Sequence, residues 1–161
     1  MFKQLSILSI ITLISSTLMA LELKTTIRIE ASPEVVWQIL TDFDAYPAWN
    51  PFIKKLEGEV SLGEKIRVEI TDMKFKPKIL AFDPRKKLEW IGRFLMPGIV
   101  DGRHYFILED NGDGSTSFIH GEYFKGLLVP FLKKKLMGET RAGFEAMNQA
   151  LKKRAEAMLS S

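Results

Sequence analysis

The chain has 161 residues, 46% hydrophobic and 27% charged, a balance that fits one globular domain and not a disordered chain. A formal net charge of +3 leaves no electrostatic footprint for nucleic acid, so no nucleic-acid partner is expected. The absence of cysteine excludes disulfides and thiolate metal sites.

Lys3, an apolar run over residues 5–18 broken only by Ser and Thr, and the small residue Ala20 have the pattern of a secretory signal peptide. The run is short for a membrane span, which takes ~20 apolar residues. Cleavage after Ala20 predicts a mature single domain over 21–161, periplasmic or secreted. Two other readings stand beside it: the segment stays uncut as an anchor, or translation starts at Met19 and the protein is cytoplasmic.

Leu23, Thr25, Ile27 and Ile29 alternate with Lys24, Thr26, Arg28 and Glu30, a period of two that predicts a strand with one wet face. Ser32-Pro33-Glu34 then offers a cap, a first-turn proline and an acid suited to the helix dipole. The helix they open has Val35, Val36, Ile39 and Leu40 as its apolar face, and a second short helix or turn is expected at Trp49-Asn50-Pro51-Phe52. Strands are expected over 57–60, 66–70, 78–82, 88–95, 103–110 and 116–124. Ser61-Leu62-Gly63-Glu64, Asp83-Pro84, Met96-Pro97-Gly98 and the Gly/Asn/Asp-rich 111–115 are the turns between them. The period then changes. Leu128, Phe131, Leu132, Leu136, Phe144, Met147, Leu151 and Met158 recur at steps of three and four, which predicts an amphipathic helix over 129–158. Gly138 and Gly143 mark a bend or a close approach within it. An antiparallel sheet must bury one face, and this helix is the one element large enough to cover it.

The string Ala31-Ser32-Pro33-Glu34-Val35-Val36-Trp37, continuing to Asp42 and to Tyr46-Pro47-Ala48-Trp49-Asn50-Pro51-Phe52, resembles the N-terminal signature of the helix-grip superfamily of START-related, pollen-allergen-like and polyketide cyclase proteins, the SRPBCC group. Trp90-Ile91-Gly92-Arg93, Asp101-Gly102-Arg103-His104, Phe118-Ile119-His120-Gly121-Glu122-Tyr123-Phe124 and Met147-Asn148-Gln149-Ala150-Leu151-Lys152 resemble one bacterial branch of it. The resemblance implies an α+β helix-grip fold. A curved antiparallel sheet of about six or seven strands would wrap around the long C-terminal helix, with two short helices after the first strand. It also implies an apolar cavity. The superfamily spans lipid carriers, hormone receptors, aromatase/cyclases and coenzyme Q-binding proteins, so the likeness alone supplies no reaction.

Strand parity assigns Trp90, Gly92 and Phe94, then His104, Phe106 and Leu108, then Phe118, His120, Glu122 and Phe124, to the concave face. A five-residue loop over 111–115 places Asp110 opposite Thr116, Phe106 opposite His120 and His104 opposite Glu122. The two histidines of the chain would then sit beside one carboxylate among aromatics, under Phe144 and Met147 of the helix. Four readings fit such a cluster: a satisfied polar pair in a wet cavity or at its rim, a polar anchor for ligand, a general acid–base group, and a metal set. The expected site is Trp90, Phe94, His104, Phe106, Phe118, His120, Glu122, Phe124, Phe144 and Met147, with no cofactor and no metal. Arg93, Arg103 and Tyr105 have the other parity and read as a solvated convex face. Trp37, Tyr46, Trp49 and Phe52 read as core.

No nucleophile elbow, phosphate loop, dinucleotide fingerprint or zinc-protease helix is found. Lys133-Lys134-Lys135 and Lys152-Lys153-Arg154 read as solvated helix faces, or as transient contacts to an anionic membrane. The expected function is binding or carriage of a hydrophobic small molecule or lipid by a monomer. The alternative is a cyclase/dehydratase-type enzyme in which His104, His120 and Glu122 move protons; a third reading is a structural protein with an unused cavity.

Overall fold

The computed structural model describes residues 20–71 and 73–159, so the expected signal peptide lies almost wholly outside the described residues. Strand β1 (Leu21–Ile29) follows its expected alternation and buries Leu23, Thr25 and Ile29. Ser32 caps α1 (Pro33–Thr41), its hydroxyl accepting from the Val35 N–H at 3.5 Å, and the helix buries Val36, Trp37, Ile39 and Leu40. A 3-10 turn (Phe43–Ala45) leads into α2 (Tyr46–Trp49), three residues earlier than the expected second helix. The reason is Asn50, whose side-chain oxygen accepts from Phe52 N and Ile53 N at 3.0 and 2.9 Å and turns the chain there. The Tyr46 hydroxyl donates to the Leu40 carbonyl at 2.6 Å and locks α2 onto α1.

The remaining strands are β2 (Ile53–Glu57), β3 (Arg67–Ile70), β4 (Met73–Phe75), β5 (Lys78–Asp83), β6 (Lys87–Phe94), β7 (Val100–Asp110) and β8 (Thr116–Lys125). They make eight strands with β1, in a five-stranded antiparallel sheet ordered β1-β8-β7-β6-β5 and a three-stranded one ordered β2-β3-β4. Residues 58–60, expected in a strand, lie outside one. The strand is displaced to β2, where a bulge between Ile53 and Lys55 breaks the period of two and hides it in the sequence. Gly58, at φ +113°, ends it. Ile66 N–H to Pro77 O (3.0 Å) and Ile79 N–H to Glu64 O (2.9 Å) join the small sheet to β5.

Helix α3 (Val129–Ala157) lies across the concave face and buries Val129, Phe144, Met147, Asn148, Leu151 and Ala155. Its end is latched to β1: Lys152 Nζ donates to Arg28 O at 2.8 Å, and Glu30 N–H donates to Glu156 Oε1 at 2.8 Å. Gly143 marks a close approach, since a Cβ there would overlap the Phe52 ring. Gly138 has no such neighbour.

The core divides in two. One apolar cluster joins α1 and the small sheet to Trp90, Phe106, Phe118, Met147 and Leu151. A smaller one holds Leu23, Val100, Phe124, Val129 and Phe144, with Leu132 and Leu136 half-buried against it. Thr25, His120, Glu122 and Asn148 lie between these sets on their own elements: Thr25 between Leu23 and Ile27, His120 and Glu122 between Phe118 and Phe124, and Asn148 between Phe144 and Leu151. A polar seam therefore crosses the core from β1 to β7.

Candidate functional site

Backbone register builds the seam. β7 pairs with β8 so that Phe106 faces His120 and His104 faces Glu122, while β1 brings Thr25 opposite His120 and β6 brings Trp90 opposite His104. Trp90 stacks on His104 with ring centroids 4.7 Å apart, and Phe144 of α3 stacks on His120 at 3.7 Å. Both imidazoles are fully enclosed, His104 at 2% and His120 at 0% exposure. Burial pushes the His104 imidazolium pKa down to about 3; burial, and then the neighbouring His104, push that of His120 well below its ordinary value. Both rings are therefore neutral at physiological pH.

Neutral rings in this geometry leave one consistent proton arrangement. The Thr25 hydroxyl lies 3.0 Å from the His120 carbonyl oxygen, which only accepts, so Thr25 donates there. Asn148 Nδ2 donates to Thr25 Oγ1 at 2.9 Å, which turns Asn148 Oδ1 towards His120 Nδ1 at 2.9 Å. An amide oxygen only accepts, so His120 carries its proton on Nδ1 and presents a lone pair on Nε2. That lone pair accepts from His104 Nε2–H at 3.0 Å. His104 is left with an unprotonated Nδ1, 3.6 Å from Glu122 Oε2.

Glu122 is the open end of this chain. Its side chain is 17% exposed, against 3% for that of His104. A separation of 3.6 Å is too long for a hydrogen bond, and among the described residues its carboxyl has no hydrogen-bond partner. Burial raises its pKa to about 8, so it carries a proton at neutral pH and acts as a donor. Gly102 makes room for it, because a Cβ there would overlap the carboxyl.

The sequence-expected residues divide as follows. His104 and His120 are in ring contact with each other and each with Phe106 and Phe144, Trp90 touches His104 and Phe106, and Phe118 touches Phe106 and His120. Phe124 and Met147 are buried on either side. Phe94 is not in this group: it is 54% exposed at the last pair of β6 with β7, where the sheet has run out from its cover. The rings of His104, Phe106, His120 and Phe144 pack closely across this part of the concave face. Two hollows, of about 440 Å³ beside α1 and about 370 Å³ on the small sheet, open elsewhere on the surface. Phe52, read as core, reaches the site with its ring centroid 5.5 Å from that of Phe144 and 6.5 Å from that of His120. Arg93 and Arg103 are exposed, and Arg103 pairs with Glu89 on the convex face.

Residues 20–156 match the family described as polyketide cyclase / dehydrase and lipid transport. The chain belongs to that family. No curated protein sequence matches it. Among solved structures, the family member is similar to the Zhui aromatase/cyclase of a Streptomyces species, with a TM-score of 0.70, 15% identity, and 88% of this chain and 96% of that one covered. A START superfamily protein from Mycobacterium smegmatis gives a TM-score of 0.65 at 24% identity over 85% and 98% of the two chains. Norcoclaurine synthase from Thalictrum gives 0.67 at 17% over 87% and 96%. At these identities the likeness shows the helix-grip fold and nothing finer.

Thr25 and Asn148 were missed by sequence reasoning. Asn148 had a visible signal, since it falls within the apolar stripe of Phe144, Met147 and Leu151, where a polar residue needs a buried partner. Asn148→Ala is expected to lower stability by about 1–3 kcal/mol, because it strands the His120 Nδ1–H in the core. It should also release the fixed tautomers. Nitrogen NMR of the two imidazoles checks this: unchanged ring shifts in the variant would show that Asn148 does not set them.

Proposed function

We propose that this family member binds a hydrophobic small molecule or lipid, with its polar end on Glu122 and its apolar body among the residues between the first half of α3 and the adjoining end of the sheet. The observation that carries the reading is Glu122: a neutral carboxyl with no hydrogen-bond partner among the described residues, at the solvent-reached end of a seam otherwise closed by hydrogen bonds. Ligand pockets commonly combine an apolar lining with a few placed polar groups. The half-buried Leu132 and Leu136 supply the part of that lining that can yield to a ligand.

Native mass spectrometry of protein from its own host, with identification of any co-purified molecule, tests the class of ligand. The role of Glu122 is tested with anilinonaphthalene sulfonate, an apolar anion. Affinity in the parent is expected to fall as pH rises through about 8, where the carboxyl ionises, and to stay flat in Glu122→Gln. Matching pH profiles in the two proteins would remove Glu122 from the ligand site.

One observation favours a second reading, a cyclase/dehydratase-type enzyme. A carboxylic acid whose pKa lies near neutrality suits proton donation to a carbonyl. Glu122 is then the acid, whereas His104 and His120, held neutral and bonded to each other, are poor bases. In that case Glu122→Gln abolishes turnover and spares probe binding.

A further inference from the structure

We propose that the β6–β7 loop and the β8–α3 junction form an apolar tip that docks on an anionic membrane surface. The inference is independent of the ligand reading. Phe94, Leu95, Met96, Leu127, Leu128 and Phe131 are 54, 76, 61, 63, 37 and 83% exposed. They form one patch because Leu127 N–H donates to Gly98 O at 2.9 Å and Leu128 N–H to Ile99 O at 3.1 Å, tying the two segments together. A contiguous exposed apolar patch of this kind marks an interaction site. Leu95 sits at φ +68°, a conformation unfavourable for a leucine, yet the side chain is left in solvent. Strain kept without any packing return points to a contact made elsewhere.

Charge selects the partner. Arg93, Lys125, Lys133, Lys134 and Lys135 flank the patch, all are exposed, and among the described residues none forms an ion pair. The loop carboxylate of Asp101 is turned onto the Gly98 N–H at 3.2 Å. Apolar side chains ringed by unpaired cations match the headgroup and acyl boundary of an anionic leaflet. Glu122 is two residues from Phe124, so the open end of the seam faces the same way.

The chain lacks cysteine, so Leu95→Cys gives the full chain a unique site for a polarity-sensitive dye. Lys86→Cys, in the turn at the other end of β6, is the control. With vesicles of equal parts phosphatidylglycerol and phosphatidylcholine, the Leu95 label is expected to shift to the blue and the Lys86 label to stay unchanged. Replacing Lys133, Lys134 and Lys135 with alanine should lower partitioning on the order of a hundredfold, with thermal unfolding unchanged. Vesicle binding without a Leu95 shift would assign attachment to residues 1–19 and overturn the proposal. So would an equal response to pure phosphatidylcholine, or a shift without vesicles that vanishes on dilution, the mark of self-association.

Discussion

Phe144→Ala is expected to lower the free energy of unfolding by about 3–5 kcal/mol, the range for removing a buried phenyl ring. The ring is 0% exposed and lies at the meeting point of everything that closes the seam. It stacks on His120 at 3.7 Å, meets His104 edge-on at 5.1 Å and meets Phe52 edge-on at 5.5 Å. Three of its neighbours are planar rings held by hydrogen bonds or by close packing against Gly143, so the site cannot collapse to refill the space. Urea unfolding with an unchanged m-value measures the loss. Phe131→Ala is the internal comparison. It lies on the same helix but is 83% exposed, and its change is expected within about 0.5 kcal/mol. A loss below about 1 kcal/mol in Phe144→Ala would mean that the ring does not pack against the histidines as described.

Much of this architecture is legible in the residues, and the reasons are local. Period-two runs fix β1, β6, β7 and β8, and the 111–115 hairpin sets the register that brings His104 beside Glu122. What is not legible depends on neighbours distant in sequence. That β1 lies against β8, placing Thr25 by His120, cannot be read from β1, because an edge strand carries no mark of its partner. β4 is three residues long, too short for any period to show. The extent of the sheet's cover is also a tertiary property. Phe94 and Phe124 share a parity, yet the first is exposed and the second is 4% exposed against Val129 and Phe144. The close packing of Phe52 on α3 follows from Gly143, whose missing Cβ lets the ring approach; in sequence that glycine reads equally well as a bend.

The stability of the protein is expected to peak near pH 6.5 and to become a plateau on the alkaline side when Glu122 is replaced by glutamine. Unfolded imidazoles protonate below 6.5, whereas folded His104 stays neutral down to about 3 and His120 is also held well below its ordinary value. Towards acid the unfolded state therefore binds more protons, and stability falls as pH falls. Glu122 acts in the opposite sense. Its unfolded carboxyl ionises above 4.5 while the folded one keeps its proton to about 8, so its contribution weakens the fold as pH rises across that window. Two imidazoles outweigh one carboxyl at about pH 5.5; near 6.5 the half-protonated imidazoles together match it. The parent should lose stability on both sides of pH 6.5 from these three groups, by about 1 kcal/mol between 6.5 and 8.5. Subtracting the parent from Glu122→Gln cancels every shared group. The difference in unfolding free energy should then rise by up to about 1.4 kcal/mol per pH unit between 4.5 and 8, and level off above. A difference that is flat across this window would show that the Glu122 carboxyl is ionised in the folded protein. The donor at the open end of the seam would then be an acceptor, and the ligand group expected there would change from an acceptor or anion to a cation.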